Sequence, residues 1–182
     1  MEEIDTLIRH FQPEKFSVGR RSEIIEFLDK VLRRDELRGS RLLGSGSSSS
    51  RTYLPVSDVD LVLATEDAVQ GEHSSMDHIL AVFRALCLEV ANADNNSRCT
   101  HSPAPFVIRN VEFVNARTKV VHCLVNNIGV DITINHPGSV VAAAFIEECD
   151  RLIGRDHLLK RSILLVKVCF VHLIHAIKIH TF

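Results

Sequence analysis

Three aspartates stand where the surrounding sequence is otherwise apolar. Asp58 and Asp60 lie in the run SDVDLVLA (57–64), one residue apart and followed at once by Leu61, Val62 and Leu63. On a strand, alternate side chains share a face, so the two acids would project together with Cα atoms about 6.5–7 Å apart. Carboxylates that close repel each other unless a positive charge sits between them or one is protonated. Asp131 is the only acid of the stretch NNIGVDITI (126–134). A lone acid inside an apolar strand is costly without a partner. Three oxygen donors on neighbouring strands suit a hard divalent cation, Mg²⁺ or Mn²⁺, and not zinc. Asp-x-Asp alone is an ordinary surface or turn pattern. The polar tract GSGSSSS (44–50) before it, taken alone, reads as a flexible loop, and no Gly-Lys-Ser/Thr follows to make it a P-loop.

The elements that must position these residues follow from hydrophobic periodicity. Residues 1–11 and 21–37 read as helices, the second with Ile24, Ile25, Leu28, Val31 and Leu32 at helical spacing. Residues 38–43 form a short strand or helix end leading into the polar tract, and Val59–Ala64 is a strand. Ser74 or Ser75 caps a helix to about Val90, with Ile79, Leu80, Phe83, Leu86, Cys87 and Val90 along one stripe. The breaker-rich residues 92–105 read as an exposed loop. Strands are expected over 106–114, Lys119–Val125 and Ile128–Ile134, with Asn126 and Asn127 making a tight turn. Ser139 caps a helix that Gly154 stops after Ile153, and Asp156 caps a last helix towards residue 178. The order of helices, strand, helix, strands and helices gives an α/β or α+β domain.

Composition narrows the function classes. The 182 residues are 46% hydrophobic and 24% charged, as in a soluble globular protein. Lys plus Arg (21) against Asp plus Glu (23) gives a net charge of −2, so global charge points to neither nucleic acid nor membrane. Five cysteines (87, 99, 123, 149 and 169), an odd set with no CxxC pair, fit reduced intracellular thiols better than disulfides or a zinc site. The N-terminus MEEIDTLIRH is acidic where a secretory signal would be basic. The apolar stretch 162–179 is interrupted by Lys167, and its longest charge-free piece, 168–177, falls short of the roughly 18–20 residues a membrane span needs. His172 and His175 could share a helix face, but no acid or cysteine joins them at metal spacing. A protein off the membrane, in the cytoplasm or nucleus, is the expectation.

Taken together, the motifs resemble a known family. The segment GSSSSRTYLPVSDVD (46–60), with a third aspartate on a later strand, is similar to the signature of DNA polymerase β-like nucleotidyltransferases. More narrowly, TYLPVSDVDL (52–61) and VDITIN (130–135) resemble the noncanonical poly(A) polymerases and terminal uridylyltransferases, and FIEECDRLIGRDHLLKRSILLVK (145–167) resembles the helices that follow. The likeness is greatest to plant poly(A) polymerase / oligoadenylate synthetase-like proteins and covers roughly residues 20–170. It implies a mixed-sheet, palm-like nucleotidyltransferase domain flanked by helices. The expected organisation is N-terminal helices over 1–37, the catalytic palm over 38–136, and a truncated start of a helical central domain over 137–182.

The resemblance also assigns roles. The family's spacing picks Gly46 and Ser47 as the phosphate-facing pair, where glycine admits the backbone to a triphosphate. Asp58, Asp60 and Asp131 would be the catalytic, metal-holding acids for Mg²⁺ or Mn²⁺, and Lys167 would contact the triphosphate. Snorkelling to the surface is the other reading of Lys167. The implied reaction is template-independent transfer of NMP from an NTP (ATP or UTP) to an RNA 3′-hydroxyl. From Arg151 onward six basic residues (Arg151, Arg155, Lys160, Arg161, Lys167 and Lys178) face one acid, which suits a backbone-binding surface beside the acidic segment. The family continues into a base-reading region after the lysine helix, and this sequence does not. Three readings therefore stay open: an active transferase, a truncated inactive relative, and a non-catalytic nucleotide- or RNA-binding module.

Overall fold

The computed structural model describes residues 2–33, 37–65, 72–97 and 106–180. Helices α1 (Glu2–Phe11) and α2 (Lys15–Leu32) precede strand β1 (Arg41–Gly44), the one-turn helix α3 (Gly46–Ser50) and strand β2 (Val59–Ala64). Helix α4 (Glu72–Ser97) leads to β3 (Ile108–Asn115), β4 (Lys119–Val125) and β5 (Ile128–Ile134), and helices α5 (Pro137–Ile153) and α6 (Leu158–His180) follow. The strands make one mixed five-stranded sheet in the order β1-β2-β5-β4-β3. Among the described strands β2 and β5 run parallel, and the other neighbours are antiparallel.

Strand alternation divides the sheet into a core face and a site face. Val59, Leu61 and Leu63 of β2, Val130, Ile132 and Ile134 of β5, and Val121, Cys123 and Val125 of β4 are all buried. They pack with Ile24, Leu28, Val31 and Leu32 of α2 and Ile79, Val82 and Leu86 of α4 as one hydrophobic core. The opposite parity puts Asp60, His122 and Asp131 half-buried on the other face. A second, smaller cluster joins Leu54 to Leu164 and Val168 of α6, with Phe11 against it. Asn126 (φ 49°) and Asn127 (φ 65°) are both left-handed, as a two-residue hairpin turn requires, and asparagine tolerates that region.

Several expected boundaries move, for local reasons. Helix α2 starts at Lys15 rather than 21 and ends at Leu32 rather than 37. Helix α4 runs to Ser97, through residues that read as loop. Weak helix formers cost only a few tenths of a kcal/mol each once a helix is nucleated, so extension is cheap. The rest of that loop, 98–105, lies outside the described residues, as do Cys99 and the side chains of His172, His175 and Lys178. The supposedly flexible serine tract folds into α3, with the Ser50 hydroxyl donating to the Gly46 carbonyl at 3.1 Å and lying 2.9 Å from the Thr52 hydroxyl.

Both late caps are displaced. Helix α5 begins at Pro137 with His136 in the N-cap position, and the Ser139 hydroxyl instead bonds the His136 carbonyl at 3.0 Å. Asp156 does not cap α6. Gly154 (φ 63°), Arg155 (50°), Asp156 (55°) and His157 (58°) form a left-handed corner in which Asp156 pairs with Arg161. The first turn of α6 is capped from the preceding helix, by buried Asp150 accepting from the Lys160 amide at 3.3 Å.

Candidate active site

Asp60 and Asp131 face each other across the parallel pair, in register as Asp60↔Asp131. Asp58 lies just before β2, exposed and in phase with Asp60. The three acids expected from the sequence thus share one sheet face. Gly46, at φ +56°, brings the start of α3 against Asp60. A β-carbon there would lie 2.5 Å from Asp60 Oδ2, so only glycine fits both the backbone and the space. The Ser47 backbone lies close enough to the Asp60 carboxylate to favour its charged form. Lys167 reaches in from α6, donating to the Thr52 carbonyl at 2.8 Å, with its charge felt by Asp60. It does not snorkel outward.

The field at this face is strained towards a cation. At the strand spacing of about 5 Å, two carboxylates repel by about 3 kcal/mol at an effective dielectric near 20, less what water screens. A hydrogen bond to a charged group returns about 1.5–3 kcal/mol, which offsets part of that repulsion. Accordingly Asp60 titrates above the ordinary aspartate range, through burial first, then through Asp131 and Asp58, with Lys167 and the Ser47 amide opposing. Burial also lowers the Lys167 pKa, and Asp60 pulls it back up. Among the described residues no three His, Cys, Asp or Glu side chains close into a ready metal cage. The aspartates share a face and a field, and their all-oxygen donor chemistry fits Mg²⁺ or Mn²⁺. Beside them, Cys123 points into the core, where burial and then Asp131 push its thiol up to about 12.

Three further residues shape the site. Arg21 of α2, only 5% exposed, forks between the Ser57 and Asp58 carbonyls and the Ser48 hydroxyl while stacking 4.0 Å above the Tyr53 ring. It ties the loop that carries Asp58 to α3. Nothing in the sequence marks it, because an arginine in an amphipathic helix reads as solvent-facing. Gly129 sits beside Asp58: a β-carbon there would come within 2.7 Å of Asp58 Cγ. His122 of β4 opposes Asp131, with Nδ1 2.7 Å from Asp131 Oδ1. That pairing was readable, since a two-residue turn at 126–127 opposes 122 to 131.

Three residues of the basic segment are engaged in ion pairs. Arg151 pairs with Glu148, Arg161 with Asp156, and Lys160 with Glu147 and Asp150. A cavity of about 790 Å³ lies between α3 and the α5–α6 corner, lined by Ser49, Glu147, Asp150 and His157 among others, and none of the three aspartates lines it. Among the described residues no helix is long and apolar enough to cross a membrane.

Comparison with known proteins bears on this arrangement. The family model of the central palm domain of poly(A) RNA polymerase, mitochondrial-like, matches residues 1–148. Curated proteins give no significant match. A structure of Cid1 poly(U) polymerase with MgGTP bound superposes with a TM-score of 0.70 at 19% identity, over 91% of this chain and 46% of that one. A Cid1 structure described for RNA terminal uridylyl transferase activity gives 0.68 at 19% identity, over 91% and 45%. A cytoplasmic RNA terminal U-transferase gives 0.66 at 18% identity, over 91% and 43%. This chain spans less than half the length of those structures, and at such identity the likeness speaks for the fold. With a family model over most of its residues and a nucleotidyltransferase palm fold around its aspartates, the chain belongs to the mitochondrial-like poly(A) RNA polymerase palm family, within the noncanonical poly(A) polymerase and terminal uridylyltransferase nucleotidyltransferases.

Proposed function

We propose that this chain is the catalytic palm of a template-independent RNA nucleotidyltransferase, which transfers NMP from an NTP, ATP or UTP, to an RNA 3′-hydroxyl. The observation that carries the reading is the meeting of Asp58, Asp60 and Asp131 on one sheet face, with Gly46 pressed against Asp60 and the charge of Lys167 acting on it. Asp58, Asp60 and Asp131 would hold Mg²⁺ or Mn²⁺, which when bound lowers the pKa of the attacking hydroxyl and neutralises charge on the leaving oxygens. Gly46 lets the α3 backbone approach the triphosphate, and Ser47 offers it an amide and a hydroxyl. Lys167 uses one N–H on the Thr52 carbonyl and retains donors and charge for the phosphates. Arg21 keeps the Asp58 loop and α3 in fixed relation, so that acids and phosphate-facing backbone are presented together.

The test is extension of a 5′-labelled oligo(A) primer with Mg²⁺ or Mn²⁺ and each NTP in turn, beside an Asp58→Ala, Asp60→Ala variant. Extension by wild type and none by the variant is expected, and the NTP used names the nucleotide. Folded wild type that binds NTP in a metal-dependent way without extending the primer would instead be a nucleotide-binding relative without turnover. No binding at all would leave a non-catalytic interaction module.

A further inference from the structure

The imidazole of His122 is placed on the carboxylate face by two independent features of the chain. Strand alternation buries Val121, Cys123 and Val125 on the core side and leaves His122 opposite them. The two-residue turn at Asn126 and Asn127 then fixes the β4–β5 register, which opposes His122 to Asp131. Nδ1 lies 2.7 Å from Asp131 Oδ1. An ionised carboxylate only accepts, so that nitrogen carries the hydrogen. The two side chains are 30% and 35% exposed, and a pair that open adds little to stability. Its effect is directional instead. The terminal torsion of aspartate is broad, so an unheld carboxylate turns widely, and a bond to one oxygen removes that freedom.

We propose that His122 is a positioning residue of the candidate metal site: by donating Nδ1–H to Asp131 Oδ1, it holds the third carboxylate in one orientation beside Asp60 and leaves the second oxygen to the cation. The proposal rests on the metal reading of the three aspartates. Outer hydrogen bonds of this kind set ligand orientation, and losing one weakens metal affinity by about 10–100-fold.

The test is binding of Mn²⁺ alone, followed by loss of the free-ion EPR signal, to wild type, His122→Ala, His122→Asn and the Asp58→Ala, Asp60→Ala variant. Melting curves run in parallel. His122→Ala is expected to weaken Mn²⁺ at least about 10-fold while melting within about 2 °C of wild type. His122→Asn, which keeps an N–H near the Nδ1 position, is expected to recover most of the affinity. Wild-type affinity in His122→Ala overturns the proposal, as does an Asn variant no better than Ala, because then the ring and not its donor matters. Wild type that binds Mn²⁺ no better than the double variant overturns the metal reading itself, and the proposal with it.

Discussion

Asp60 is where burial, two like charges and one opposing lysine meet, and its raised pKa has a consequence for stability. Below the ordinary aspartate value of 3.8 both folded and unfolded chains carry the proton, and the site costs nothing. As pH rises through the higher folded value, the unfolded state ionises first and the fold loses stability, a loss that is complete above that value. Asp60→Asn removes the charge, so it is expected to melt ~2 °C above wild type at pH 7.5, the gain vanishing towards pH 3.8. Fluorimetric melts across pH decide it. A variant less stable at every pH would mean that the Ser47 amide and Lys167 outweigh the repulsion. Mn²⁺ should raise the wild-type melt by relieving the same repulsion and leave Asp60→Asn unmoved. The two glycines beside the acids should respond differently to alanine. Gly46→Ala meets both a positive φ and Asp60 Oδ2, and should cost about 1–2 kcal/mol in urea unfolding. Gly129→Ala has an ordinary backbone but meets the Asp58 carboxylate down to its Cγ, so Asp58 must swing aside, and Mn²⁺ affinity should fall more than stability does.

At the scale of elements, α2 and the Asp58 loop are joined through one side chain. Arg21→Lys keeps the charge and loses the fork and the stacking on Tyr53, leaving carbonyls of Ser57 and Asp58 without their donor. A destabilisation of about 2 kcal/mol is expected in urea, with Mn²⁺ affinity falling as well because the loop carries Asp58. Unchanged unfolding would show that the loop is held by its own turns. The same elements show what a sequence makes legible. β2, β4 and β5 were readable to the residue because alternation and a two-residue turn are local signals. The acids were readable because an aspartate inside an apolar strand needs a reason. α3 was not, since a run of serines has no apolar stripe and its fold depends on contact with β2 and Asp60. The α6 cap was misplaced because its acceptor, Asp150, lies on the other side of the corner. Arg21 was invisible because its partners lie 27 to 37 residues away.

At the scale of the whole molecule, apolar surface lies uncovered on the helices after the sheet. Val141, Phe145 and Leu152 of α5, spaced by four and seven residues along one face, are 64%, 67% and 69% exposed. Together they present roughly 300 Å² from α5 alone, already at the scale of the largest patch on an ordinary monomer. On α6, Val166 and Phe170 are likewise 53% and 60% exposed. Exposed apolar surface of that size drives association, so the purified chain should show scattering mass that rises with concentration. The paired change Phe145→Ser, Leu152→Ser should bring that mass down towards the monomer's. Because neither residue belongs to the core around the carboxylates, Mn²⁺ binding should survive the change. A wild-type chain that stays monomeric from micromolar to millimolar concentration would show that this surface is too dispersed along the two helices to act as one patch.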